Sequence, residues 1–171
     1  KDGYSNVIAP SLSKEKIENA HLQILKILRI QKEYRSASRK IKALLSDDKF
    51  KRISGNLELE LVNLYRAQGE DDEIENRLES IVNDYQRTEV SAEAYYQLGE
   101  IYSSEKWDLE KAKEYYENVS KESNRSLFSS SSKSRVLAIT TYQNTLKEIE
   151  TNNLIDSDNK EVDSTLNISL V

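Results

Sequence analysis

The chain contains no cysteine, one histidine, one proline and four glycines in 171 residues. Without cysteine there is no disulfide, no thiol nucleophile and no cysteine-held zinc. So few glycines and prolines, with Pro10 outside the long periodic segments, argue against a sheet protein of this size. Such a protein would need many turns built on those residues, whereas helices joined by short polar loops would not. No apolar run approaches the ~18 residues that span a bilayer, and no signal-peptide pattern opens the chain. Basic charge is not in excess either, with 25 Lys and Arg against 30 Asp and Glu, net −5. That balance favours solubility and gives no overall attraction to nucleic acid or anionic lipid.

What is present is periodic. Displaced by 37 positions, the sequence aligns with itself: Ile24, Leu61 and Leu98 fall in register, as do Leu28, Tyr65 and Tyr102. Ala37, Ile74 and Ala112 follow, then Ile41, Leu78 and Tyr116, then Leu44, Ile81 and Val119, with one extra residue in the third unit. Within each unit the apolar residues recur at i, i+1, i+4 and again at i, i+4, i+7, the stripes of two successive helices. Short polar turns separate them. In Ala67–Asp72, Gly69 reads as a helix stop and Asp71 and Asp72 as an N-cap and first turn. Each unit is a helical hairpin unable to bury its apolar face alone, and stacking buries a continuous spine. Val136, Leu137, Ile139, Tyr142, Leu146 and Ile149 predict a last helix over 129–150 that caps the third hairpin. Residues 1–12 read as a linker, 13–150 as the repeat domain, and 151–171 as a flexible polar tail ending in the apolar stretch Thr165–Val171. The expected fold is all-α, a right-handed α-solenoid of three hairpins plus a C-terminal capping helix.

The third unit carries a family resemblance. Tyr95, Leu98, Gly99 and Tyr102, followed by Ala112, Tyr116 and Val119, resemble the tetratricopeptide repeat, in which an aromatic-x2-Leu-Gly-x2-Tyr stretch precedes Ala and an aromatic residue. The small residues Gly99 and Ala112 then mark close approach of two helices, and Tyr102 and Tyr116 fill the wider gaps. Tyr85–Tyr96 is similar to the extended loop of bacterial cell-envelope repeat proteins that help build or couple the outer membrane, and accounts for a unit longer than usual. The resemblance covers residues 13–150. It departs in units one and two, where Leu25 and Val62 replace the Gly and Ile74 replaces the Ala. It implies a non-catalytic scaffold or adaptor for a protein or peptide partner, a subunit of a larger assembly, at the periphery of the bacterial periplasm or envelope. The alternative is a cytoplasmic regulatory or helper domain excised from a larger protein or enzyme, an expectation suggested by the start at Lys1 rather than Met.

Catalytic chemistry finds little footing. His21 is the one side chain able to exchange protons near neutral pH without tuning, and it stands where the repeat expects a large packing residue. No Ser/His/Asp order forms around it, and no Gly-rich loop could cradle phosphate. The run Glu70, Asp71, Asp72, Glu73 and Glu75 lacks the Gly and the alternating ligands of a calcium loop. It reads instead as acids at the positive end of a helix. Ser129–Ser132 reads as a loop and helix start. No cofactor and no metal are expected. The expected partner seat is a concave groove lined by Leu22, Leu59 and Tyr96, edged one turn later by Lys26, Asn63 and Glu100. Glu60 and Glu93 near that groove would repel a peptide's terminal carboxylate.

Overall fold

The computed structural model describes residues 13–70 and 73–168, with side chains through Asn152. The chain is all-helical, with no strand among the described residues. Helix α1 spans Lys14–Ile30, α2 Tyr34–Leu45, α3 Ser54–Gln68 and α4 Ile74–Asp84. Helix α5 spans Glu89–Ser104, α6 Leu109–Glu122 and α7 Ser129–Ile168. A short 3-10 helix at Asp48–Ile53, absent from the sequence reading, links α2 to α3. No described helix is long and apolar enough to cross a membrane.

Local chemistry sets several of these boundaries. Thr88 starts α5 by accepting from the Ser91 amide at 3.2 Å, and Asp108 starts α6 by accepting from the Lys111 amide at 3.0 Å. Each satisfies a helix-end N–H that has no partner within the helix. Gly69 ends α3 in the left-handed region at φ 72°, a conformation that costs glycine almost nothing and a branched side chain a good deal. The expected N-caps Asp71 and Asp72 lie outside the described residues, as do the linker 1–12 and positions 169–171.

Each helix packs on its neighbours in the chain, and α3 also touches α1 and α5. Two apolar clusters result. Leu25, Ala37, Ile41, Leu44, Ile53, Leu57, Leu61 and Leu64 form the first. Leu59, Val62, Leu78, Ile81, Leu98, Tyr102, Tyr116 and Ile139 stand in the second, with Tyr65 packed against both. Helix α3 therefore sends Leu57, Leu61 and Leu64 one way and Leu59 and Val62 the other. A helix apolar on both sides in this way is an interior one.

One sequence expectation needs correction. Ile24 falls in register with the packing residues Leu61 and Leu98, yet it is 42% exposed while Leu25 is fully buried. The register itself is intact. Leu61 packs into the cluster that contains α2, and Leu98 into the cluster that contains α4, in each case residues of the preceding hairpin. Among the described residues nothing precedes α1, so Ile24 has no neighbour to meet. The same logic applies at the other end. Leu137 continues the column of Leu25, Val62 and Gly99, which face the second helix of their own hairpins. No such helix follows α7 among the described residues, and Leu137 is 68% exposed. Helix α7 also differs from expectation in length. It does not stop near 150 but runs on to Ile168, through most of the segment expected to be a flexible tail.

The repeat-signature residues assemble as one packed group. Leu98, Gly99, Tyr102, Ala112, Tyr116 and Val119 are buried, and Tyr95 is half-buried against Tyr115 at a ring separation of 6.1 Å. The Tyr116 ring fills the space that the missing Gly99 side chain leaves. Its hydroxyl meets Glu100 Oε1 at 3.0 Å and Ser103 Oγ at 3.1 Å. Burial pushes that hydroxyl up to about 12, where an exposed tyrosine titrates near about 10. Between those values the unfolded chain loses the proton and the folded chain keeps it. The contribution is therefore intact below about pH 10 and vanishes as pH rises through about 12. Circular dichroism across that window should show steepening alkaline destabilisation, and Tyr116→Phe should make the dependence shallower. An unchanged profile in that variant would place the alkaline transition elsewhere.

Candidate functional site

A groove of about 420 Å³ runs across α1, α3 and α5. Its walls follow the 37-residue repeat. Asn19, Asn56 and Glu93 form one column, Leu22 and Leu59 a second, Gln23 and Glu60 a third, and Lys26 and Asn63 a fourth, with Arg29 beyond them. Residues 37 apart stand on α1, α3 and α5, which touch in succession, and so line the groove together.

Four of the six groove residues expected from the sequence are brought together here: Leu22, Lys26, Leu59 and Asn63. The other two, Tyr96 and Glu100, occupy the same columns on α5 but do not line the groove. Tyr96 lies against Phe128 at a ring separation of 4.9 Å and against Tyr116 at 5.6 Å. Glu100 pairs with Arg135 at 3.1 Å. Phe128, just before α7, and Arg135, within it, thus engage both residues, while α7 makes its main packing contact with α6. Leu59 also differs from expectation. Only 3% exposed, it is a core residue with an edge in the groove, which leaves the half-buried Leu22 as the main apolar contact.

The groove is consequently polar. Arg29 Nε meets Glu60 Oε1 at 2.7 Å, with Glu60 almost fully buried. Gln97, also buried, donates through Nε2 to Asn63 Oδ1 at 3.5 Å and Glu93 Oε1 at 3.4 Å. Its Oε1 is buried without a hydrogen-bond partner. Burial holds the Glu93 carboxyl above the usual carboxylate range, against the opposing effects of the Gln97 bond and the Lys26 charge. Two cations and two carboxylates line the walls alongside neutral amides. Such a surface can hydrogen-bond a peptide main chain but has no excess of one charge to hold an ionic ligand.

Asn19, Gln23, Arg29 and Asn56 were missed as groove residues, although the signal was available. Asn19 and Asn56 stand one repeat apart and at helical spacing from Leu22 and Leu59.

The histidine and the acidic run singled out in the sequence are engaged in packing and pairing. His21 lies edge-on to Phe50 at 5.0 Å, and burial, then the Lys40 charge, holds it below the usual imidazole range. Glu73 pairs with Arg77 at 3.0 Å, while Glu75 binds Lys106 and the Tyr102 hydroxyl, which hold it below the usual carboxylate range. Ser129 begins α7 and donates to the Ser123 carbonyl at 3.1 Å. Among the described residues no three His, Asp or Glu side chains converge on a point where a metal could sit.

No protein-family model matches the chain, and no curated protein matches it significantly.

Proposed function

We propose that the chain is a non-catalytic scaffold of the tetratricopeptide type, a right-handed solenoid of three hairpins with α7 as its cap, and that it holds an extended segment of a partner protein in the groove across α1, α3 and α5. The observation that carries this reading is the lining of that groove by amide and carboxylate side chains in register at 37-residue intervals. A regular ladder of donors and acceptors suits the regular main chain of an extended peptide. Affinity would come from those hydrogen bonds and from one apolar contact at Leu22, which points to a modest, exchangeable interaction. Placement at the bacterial envelope, within a larger assembly, is supported by the sequence resemblance of Tyr85–Tyr96 alone, although only residues 85–88 form a loop and the expected extended loop is replaced from Glu89 by α5.

The test is peptide display against the whole chain, with each selected peptide retested on the double variant Gln23→Arg, Asn56→Arg. Both positions are exposed, so the fold should be retained while the groove is obstructed. Selected peptides should bind the native chain and lose at least about tenfold in affinity on the variant. Peptides that bind both proteins equally would move the interaction to another face.

A further inference from the structure

A second concavity lies apart from the groove, between α2 and α3, with a volume of about 620 Å³. Arg35, Arg39 and Lys42 line it from one face of α2, Tyr34 and Tyr65 supply aromatic walls, and Glu70 stands at its rim. None of the three cations forms an ion pair among the described residues. Helix α2 itself contains four basic residues and no acid. Between Lys32 and Arg52 eight basic residues stand against three acidic ones, in a chain whose net charge is −5. Charge of the minority sign is thus concentrated on the segment that forms this cleft. Arg52 pairs with Glu18, but the three cations of the cleft raise the local potential and draw in an oppositely charged partner.

We infer that this cleft is a binding site for an extended acidic peptide segment. The spacing of the cations selects the shape of the ligand. Successive cations at four and three residues are separated along the helix axis by about 6 Å and about 4.5 Å. Alternate side chains of an extended peptide recur at about 6.8 Å, close to the Arg35–Arg39 interval, so carboxylates two positions apart face that pair and Lys42 meets the next through its long, flexible side chain. A single phosphate would need donors converging on one point. Here Arg39 instead turns its Nε to the carbonyl of Arg35 at 3.4 Å, leaving the cations in a row. An anionic bilayer would meet a chain of net negative charge, and a walled cleft is a poor match to a flat surface. The tyrosine rings give the peptide backbone an apolar wall, and each hydroxyl is a group able to donate or accept a hydrogen bond.

The experiment is fluorescence anisotropy at low salt with a labelled short peptide alternating glutamate and serine. The whole chain, R35Q/R39Q and the control K49Q/K51Q are compared, and all four substituted side chains are exposed. Circular dichroism confirms that the variants remain folded. The peptide should bind the native chain, weaken about tenfold on R35Q/R39Q and change less than about twofold on K49Q/K51Q. Equal losses on both variants would reduce the effect to general charge and overturn the site, as would absence of binding. Inorganic pyrophosphate or phosphatidylglycerol vesicles that bind in an R35/R39-dependent way more tightly than the peptide would overturn the peptide assignment.

Discussion

Gly99→Leu should lower the melting temperature by about 10 °C or more, the largest effect expected of any single substitution in the third hairpin. A Cβ built at Gly99 would stand 2.6 Å and 2.7 Å from two carbons of the Tyr116 ring, distances that Cβ atoms do not tolerate. The ring cannot swing aside, because it is 1% exposed and held at its hydroxyl by Glu100 and Ser103. Overpacking of this kind costs about 3 kcal/mol or more once a whole side chain must be accommodated. For a chain of this size each kcal/mol corresponds to roughly 2–4 °C. Gly99→Ala should have the same sign and a smaller size. Combining it with Tyr116→Leu tests the cause. If the ring is the obstacle, the double variant should be more stable than the sum of the two single effects. Strict additivity would mean that Gly99 is required for some other reason.

Deletion of α7 should be nearly as damaging, and it should act locally. Ile139 is buried against the second cluster with Val136 beside it. Arg135 holds Glu100, Gln143 donates to Glu110 at 2.8 Å, and Phe128 covers Tyr96. Ending the chain at Asn124 removes all of these contacts and opens the Tyr96 and Tyr116 rings to water. A loss of about 3 kcal/mol or more is expected, again about 10 °C in melting temperature. Stability in a stack of hairpins is close to a sum of units and their interfaces. Hydrogen exchange should therefore show lost protection in α5 and α6 while α1 and α2 keep theirs. Ending the chain after Asn152 leaves every described side-chain contact of α7 in place, so the melting temperature should stay within about 2 °C. Uniform loss of protection along the whole chain would show that the hairpins fold as one unit and that α7 is not a local cap.

The amide column at Asn19 and Asn56 shows how far the sequence alone could lead. Its spacing was as regular as that of Leu25 and Val62, but apolar periodicity announces burial, whereas polar periodicity is also what an ordinary solvated helix face displays. Tyr96 shows the converse difficulty. It shares a column with Leu22 and Leu59, yet whether a column on α5 faces solvent depends on what packs against α5. The covering residues, Phe128 and Arg135, lie more than thirty positions along the chain. The basic row of α2 was visible as composition, but nothing local indicates that the Tyr65 ring of α3 would stand opposite and turn it into a cleft.

By itself, then, the sequence determined the helical class, the periodic apolar columns within successive helices, the stop at Gly69 and the small residue needed at position 99. These follow from backbone conformation and from periodic burial within one or two turns, which are properties of short stretches of chain. The tertiary structure alone decided that Ile24 and Leu137 are exposed, that Leu59 belongs to the core, that Tyr96 and Glu100 are engaged by Phe128 and Arg135, and that α2 borders a cleft. Each of these depends on the presence or absence of a neighbouring element, and exposure is a property of the assembled fold rather than of any segment within it.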